Sequence, residues 1–526
     1  MCQVDEEYKD DQLKNRTVLS VSQKCVKCNE VSAVLIIRAG DGFCRDCFKE
    51  YFVHKFRAML GKNRLIFPGE KVLLALSGGP ASSSMLFQVQ QGLSRDAPKK
   101  LRFTPGIVYI DEGAATGQSP EERIGKISQL ESIFSATGYP FYIVHLEEVF
   151  GLPNSVLQCV PSVPERIEGC YKAAVERFIQ HSTSTQREMR CISEAEDPSL
   201  MGAQTRLSEL SVQDGRVSGG RLPVTPEQTQ AVERLLASVR TLTAKEELLQ
   251  TLRHHLIVHT ARAHGYAKVM MGDSCSRLAV KLLSNISLGR GASLAMDTGF
   301  SDPRYGDIAI VRPMREYSSK EIAFYNKMFK VPSVFIPGLD TKAPEKASIQ
   351  RLTESFVNKL QAEFPSTVST IYRTSEKLIT ACPRTSADKE QTEKCLLCLC
   401  TLDTSGEEAS AFHATLISEK LSQKKPPELG QSPVLPGQQC CCTGGGQADI
   451  CGATGGGCCS VDRTPVTHDL QSLLCYSCRL IIKDMSSVNE LPQYIVSEAD
   501  RRRRRAQMKE EISEFLLDPD EDCDAA

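Results

Sequence analysis

The chain has 526 residues, with 63 basic side chains against 65 acidic ones and a formal net charge of −2. That balance excludes a surface coated in cations for indiscriminate nucleic-acid binding, so any such surface has to be local. A 41% hydrophobic fraction supports a sizeable core, and the length predicts one large domain with additions rather than a single minimal unit.

Residues 1–20 read as a flexible tail. Their start, Met1-Cys2-Gln3-Val4-Asp5-Glu6-Glu7, is too acidic and polar for a signal peptide. No apolar run approaches the ~20 residues that cross a bilayer. The expectation is a cytoplasmic protein with no membrane partner. Residues 21–60 form a knuckle module around Cys25-x2-Cys28-x15-Cys44-x2-Cys47, ending in a helix-like run from Phe48 to Met59. Two CxxC turns at that separation bring four thiolates around one tetrahedral ion, and in a reducing compartment they read as Zn2+ ligands rather than disulfides. Free or oxidised thiols are the alternative.

An α/β domain is expected over 65–375. Val72-Leu73-Leu74-Ala75-Leu76 reads as a buried parallel strand. It turns through Ser77-Gly78-Gly79-Pro80-Ala81-Ser82 into a helix. Such a turn is either an ordinary tight connection or an anion site, where backbone N–H groups and the helix dipole face a phosphate. Three more strand-like runs follow, at Gly106–Ile110, Phe141–Leu146 and Lys268–Met271, with helical stretches around 121–137 and 244–264 between them. Asp111 and Glu112 close the second strand, where they either reach a ligand or stabilise the turn. The fold expected is a doubly wound parallel α/β sheet. Residues 187–243 are rich in Ser, Glu, Gln, Arg and Gly and read as a disordered insertion with one short helical piece at Ala231–Val239. His255 and His259 share a helix face at a metal-compatible spacing, but the reading preferred for them is packing.

Residues 376–526 form a C-terminal module interrupted by a second insertion over 404–467. Cys395-x2-Cys398 and Cys475-x2-Cys478 make a second candidate Zn2+ set, with Cys400 as a substitute for Cys398. The glycine–cysteine run over 440–459 reads as a low-complexity loop rather than a metal site. Arg501–Arg505 read as the solvated face of a terminal helix pairing with Glu510, Glu511 and Glu514, with phosphate binding as the other option.

The turn Ser77-Gly78-Gly79-Pro80-Ala81-Ser82 resembles the SGGxDS pyrophosphate loop of adenylating ATP pyrophosphatases. Together with Cys25-Val26-Lys27-Cys28, Cys44-Arg45-Asp46-Cys47-Phe48, Tyr109-Ile110-Asp111-Glu112-Gly113, Ser318-Ser319-Lys320-Glu321-Ile322 after Arg312-Pro313, and Cys475-Tyr476-Ser477-Cys478, it resembles the tRNA 2-thiolation family. The resemblance implies an adenine nucleotide alpha-hydrolase-like sheet with a cysteine-knuckle zinc module at each end. It implies action on the wobble uridine (position 34) of cytosolic tRNAs for Lys, Glu and Gln, with sulfur from a ubiquitin-like thiocarboxylated carrier.

The chain departs from the active members. Ala81 replaces the loop aspartate, and Pro80 has no N–H. The helix before the fourth strand, Glu247 to His254, keeps Arg253 of a paired-arginine motif but lacks its CxxC. Gly272-Asp273-Ser274 stands where active members have Gly-His and paired aspartates. Cys159, Cys170, Cys191 and Cys275 match no family position. Ser77, Gly78, Gly79, Ser82 and Asp111 are therefore expected to be a degenerate nucleotide site, with no catalytic residues. ATP and Mg2+ would act only through a catalytic thiolase paralogue in a heterodimer that also binds tRNA. A self-sufficient thiolase with a rearranged site, and a zinc-ribbon adaptor unrelated to tRNA, are the alternatives.

Overall fold

The computed structural model describes residues 24–37, 41–94, 97, 100–158, parts of 171–180, 224–378, 394–402 and 470–512. In the first cysteine module, β1 (Leu35–Ile36) and β2 (Gly42–Phe43) pair as a small antiparallel hairpin and lead into α1 (Arg45–Asn63). Phe48, Phe52, Phe56 and Met59 recur every three or four residues along α1, so all four fall on one face and all are buried. Arg64 ends the helix in the left-handed region, its N–H returning to the Leu60 carbonyl at 3.1 Å.

The central sheet contains β3 (Lys71–Ala75), β4 (Thr104–Asp111), β5 (Phe141–His145), β6 (Lys268–Met271), β7 (Ser301–Asp302) and β8 (Ala309–Val311). Their spatial order is β5-β4-β3-β6-β8-β7, parallel except for the edge strand β7. The chain leaves β3 for β4 on one side and returns to β6 on the other, so the switch point lies between β3 and β6. In doubly wound sheets ligands bind beyond the strand ends at that point.

The helices between and after these strands are α2 (Pro80–Leu93), α3 (Pro120–Ser135), α4 (Pro226–Ser238), α5 (Leu242–Ala263), α6 (Cys275–Ser287), α7 (Leu294–Thr298) and α8 (Ser319–Phe329). Alternation along the strands assigns them to the two faces of the sheet. Val72, Leu74, Ile107, Tyr109 and Met270 point to one side, where they meet α1, α2, α3 and α8. Leu73, Val108, Ile110 and Val269 point to the other side, against α4 and α5. The same core takes in Cys395, Leu396, Leu397, Cys478 and Tyr494, so the C-terminal cysteine module is continuous with the sheet's second face. α9 (Ile349–Glu363) and α10 (Thr367–Ser375) pack on α6, and α11 (Tyr476–Asp484) and α12 (Gln493–Glu511) complete the second face.

One boundary needs correction. The expected insertion over 187–243 extends too far, because Pro226–Ser238 is α4 and α5 begins at Leu242. α4 starts with a capping box between Thr225 and Gln228, carries Pro226 in its first turn, and buries Val232, Leu235 and Leu236. Residues 187–223 and 404–467, the tail 1–20, Cys159, Cys170, Cys191 and the run 440–459 lie outside the described residues.

Candidate functional site

The glycine turn sits at the switch point. Gly78 adopts φ +75°, and a Cβ there would approach Leu130 to 3.1 Å, so both backbone and space call for glycine. Gly79 is the N-cap of α2 and Pro80 occupies its first turn. The helix therefore begins three residues earlier than the sequence's apolar run alone suggests. The sheet crowds this turn closely, since a Cβ on Gly272 would come within 2.8 Å of the Ser82 backbone.

Ser77, Gly78, Gly79 and Ser82 are thus brought together, with their hydroxyls and the Gly78 and Gly79 carbonyls engaged in local bonds. The Ser77 N–H donates to Ser82 Oγ at 3.3 Å, and Ser82 Oγ donates to the Gly79 carbonyl at 3.0 Å. The two hydroxyls stand 3.3 Å apart. The Gly78 carbonyl accepts from the Val334 N–H at 2.9 Å, which fastens the segment after α8 over the turn.

Asp111, at the end of β4, is buried and fully engaged. Its Oδ1 accepts from the Gly113 N–H at 3.0 Å, while Oδ2 receives Arg123 Nε at 2.8 Å and lies 3.0 Å from His145 Nδ1. Burial alone would raise its carboxyl; His145, Arg123 and the Gly113 N–H outweigh that and hold it below the usual carboxylate range. Arg123 also grips Glu147 with two bonds of 2.7 and 3.1 Å. Glu112 is clasped by Arg253, whose Nη2 donates at 2.8 Å. Of the two readings for Asp111, the geometry is that of a strand-end turn.

Across the switch point, a cavity of about 30 Å3 opens beside α5, lined by Gln250, His254, Lys281, Arg304, Arg312 and Cys398 among others. An ion-pair network fills its wall. Arg304 bridges Asp297 and Asp302, the latter at 2.8 Å. Arg312, almost wholly buried, reaches Asp273 at 3.3 Å and donates to the Met296 and Gly299 carbonyls at 3.0 Å each. Sequence reading did not anticipate this network. Its members come from separate turns and strands, and apart from Asp302 with Arg304 no local spacing pairs them. Cys275 is buried elsewhere, in the cluster of Ala279, Val357 and Tyr372.

Both cysteine quartets are assembled. The sulfurs of Cys25, Cys28, Cys44 and Cys47 all lie within 4.8 Å of one another, as do those of Cys395, Cys398, Cys475 and Cys478. Cys28 and Cys44 are 4.0 Å apart, and Cys398 and Cys475 3.6 Å. Four thiolates bound at ~2.3 Å to one tetrahedral ion stand about 3.8 Å apart, so both quartets fit a metal. Cys400 is not one of these four: beside Cys398, its sulfur accepts from Arg304 Nη1 at 3.1 Å. His255 is a packed residue, not a ligand. Its Nδ1 is 2.6 Å from the Tyr494 hydroxyl and its Nε2 2.8 Å from the Leu397 carbonyl. It thereby ties α5 to the second quartet and to α12.

A doubly wound sheet with a pyrophosphate-loop-like turn at its switch point, one metal-competent cysteine quartet joined to the first face through α1, and a second built into the core of the other face, defines the class. The sequence profile of the family "Cytoplasmic tRNA 2-thiolation protein 2" matches residues 348–480. The protein of that name from Danio rerio is 59% identical over 99% of this chain and 100% of its own. The Homo sapiens protein is 51% identical over 99% of each. The chain belongs to the cytoplasmic tRNA 2-thiolation protein 2 family. Among solved structures, the U34-tRNA thiolase NcsA from Methanococcus maripaludis with its [4Fe-4S] cluster aligns at 13% identity and a TM-score of 0.40, over 68% of this chain and 87% of that one. No helix among the described residues is long and apolar enough to cross a membrane.

Proposed function

We propose that this chain is a non-catalytic subunit in cytoplasmic tRNA 2-thiolation, paired with a catalytic paralogue that carries out the chemistry on wobble uridine 34. Family membership supports the pathway. The subunit role rests on one observation: the loop carries no carboxylate, and the acid at the end of β4 is fully paired. Activation of uracil O2 by ATP needs a carboxylate-held Mg2+ to offset the charge of the departing pyrophosphate. Ala81 supplies no carboxylate, and both oxygens of Asp111 are taken by Gly113, Arg123 and His145. Sulfur transfer needs accessible thiols of low pKa. Among the described residues, the thiol lining the cavity is Cys398, which belongs to a metal quartet.

In this reading the glycine turn keeps at most a weak backbone affinity for phosphate, and ATP with Mg2+ belongs to the partner. The ubiquitin-like sulfur carrier is received by the heterodimer. Each cysteine quartet holds one structural Zn2+. The test is the 2-thiouridine content of wobble-position tRNAs in cells whose only copy carries Ser77→Ala and Ser82→Ala. Near-normal thiolation is expected. Collapse of thiolation with a folded, partner-bound variant would overturn the non-catalytic assignment.

A further inference from the structure

The structure divides α12 into two halves with different surroundings. The inner half is anchored: Tyr494, Ile495, Glu498 and Ala499 are buried. Glu498, with no exposed surface, receives both Nε and Nη2 of Arg501 at 2.7 Å and Nε of Arg502 at 2.9 Å. Arg502 also donates to the Lys394 carbonyl at 2.6 Å and the Leu157 carbonyl at 3.2 Å, so it clamps the helix to the body. Arg503 pairs with Asp500 at 2.6 Å. From Arg504 to Glu511 every residue is exposed.

Arg501, Arg505 and Lys509 are spaced four apart, so they stack as one row along the helix, about 6 Å from one to the next. Arg504 stands beside that row. Among the described residues, Arg504, Arg505 and Lys509 face no acidic side chain at ion-pair distance. Arg501 is already balanced by Glu498, but Arg505 and Lys509 are like charges four apart, which repel and are relieved by an anion of repeating charge. Arg501–Arg505 is a run of five consecutive cations in a chain whose net charge is −2.

We propose that the outer half of α12 contacts the phosphate backbone of RNA. Arginine rather than lysine dominates the row, and its planar fork matches a phosphate through two bonds at once. Glu498 fixes the base of the row before any ligand arrives. The flank offers Met508 and, one turn on, Ile512 as large apolar groups, too few for the broad apolar face that membrane docking requires. Because His255 and Tyr494 join α12 to α5, RNA held here is attached to the rigid core. The proposal rests on the tRNA reading above and adds to it the surface that meets the RNA.

The test uses the full chain with the partner that copurifies from cells, and labelled tRNA titrated at several salt concentrations. Arg504→Glu with Arg505→Glu should weaken binding at least tenfold at low salt and reduce the slope of log K against log salt by about two. Arg504→Lys with Arg505→Lys should retain most of the affinity and the slope. Metal content and melting temperature should be unchanged in both, since the residues are exposed. Wild-type affinity and slope in the charge-reversed variant would overturn this proposal while leaving the tRNA reading intact. Absence of tRNA binding by the wild-type complex would overturn both. Binding of a polyglutamate peptide as tight as that of tRNA would assign the row to an acidic protein surface and overturn the RNA assignment.

Discussion

His255 shows how one side chain joins two modules. It is 1% exposed, and burial pushes its imidazole down to about 4, despite the Leu397 carbonyl that opposes the shift. The folded chain therefore keeps His255 neutral while the unfolded chain protonates it near pH 6.5. Stability from this residue is complete above that pH and is lost as pH falls from about 6.5 to about 4. Over that window the loss is about 3 kcal/mol. Chemical unfolding of metal-loaded protein between pH 7 and pH 4 should include that contribution, and His255→Gln should remove it while leaving the slope from the other buried histidines, His254 among them. His255→Ala should cost about 2–4 kcal/mol at pH 7, because the Tyr494 hydroxyl and the Leu397 carbonyl lose their partner inside the core. An unchanged unfolding midpoint would show that the bridge contributes nothing. The second quartet permits a sharper comparison. Cys398→Ser should release the metal of that set, whereas Cys400→Ser should leave it bound, because only the former sulfur belongs to the quartet. Metal analysis of the purified variants distinguishes them. The quartets were legible in sequence because a CxxC turn fixes two ligands locally. The choice between Cys398 and Cys400 was not, because Arg304, which claims Cys400, comes from a strand connection ninety-six positions away.

Among the elements, β3 to β6 were the most readable, since an apolar run bounded by glycines or acids has little other use, whereas β7 and β8 are too short to show a pattern. α4 was only half legible: Ala231–Val239 reads as helical, but its polar first turns do not, although Thr225, Pro226 and Gln228 carry a complete N-terminal signal. Its importance lies in what it holds. Val232, Leu235 and Leu236 enter the core. The link to α5 bonds to α11 through Arg240 N–H to the Asp484 carbonyl at 3.2 Å, and through Thr241 N–H and Oγ1 to Asp484 Oδ2 at 2.7 and 2.8 Å. Three buried side chains at ~1.5–3 kcal/mol each represent several kcal/mol, comparable to a domain's whole stability. Deleting 187–223 should preserve soluble protein and its melting temperature, since loop closure depends weakly on length. Extending the deletion to residue 243 should abolish soluble expression. Equal yields from the two deletions would mean that α4 is dispensable.

For the whole molecule, the two cysteine quartets are not equivalent. The first stands at the margin of its module, where Val26, Val31 and Val34 are exposed beside Cys28 and Cys47, which are only partly buried. Its contact with the sheet passes through α1, whose phenylalanines pack independently of the metal. The second lies inside the main core. Cys395, Cys475 and Cys478, with Leu396 and Leu397 between Cys395 and Cys398, belong to the cluster that holds α5, α11 and α12, whereas Cys25 and Cys44, though buried, belong to neither sheet core. Metal binding is folding free energy in both cases, but it is delivered to different cooperative units. Cys25→Ser should release one metal ion and raise amide exchange over residues 24–44 while β3, β4 and β6 stay protected. Cys478→Ser should release the other and raise exchange through α5, α11 and α12, lowering the melting temperature of the whole chain. Hydrogen exchange read by mass spectrometry on the two variants separates these patterns. Exchange spreading into the central strands in Cys25→Ser would show that the first quartet also supports the sheet. Protection of α5 persisting in metal-free Cys478→Ser would show that apolar packing alone sustains the second face, and that its metal serves some purpose other than stability.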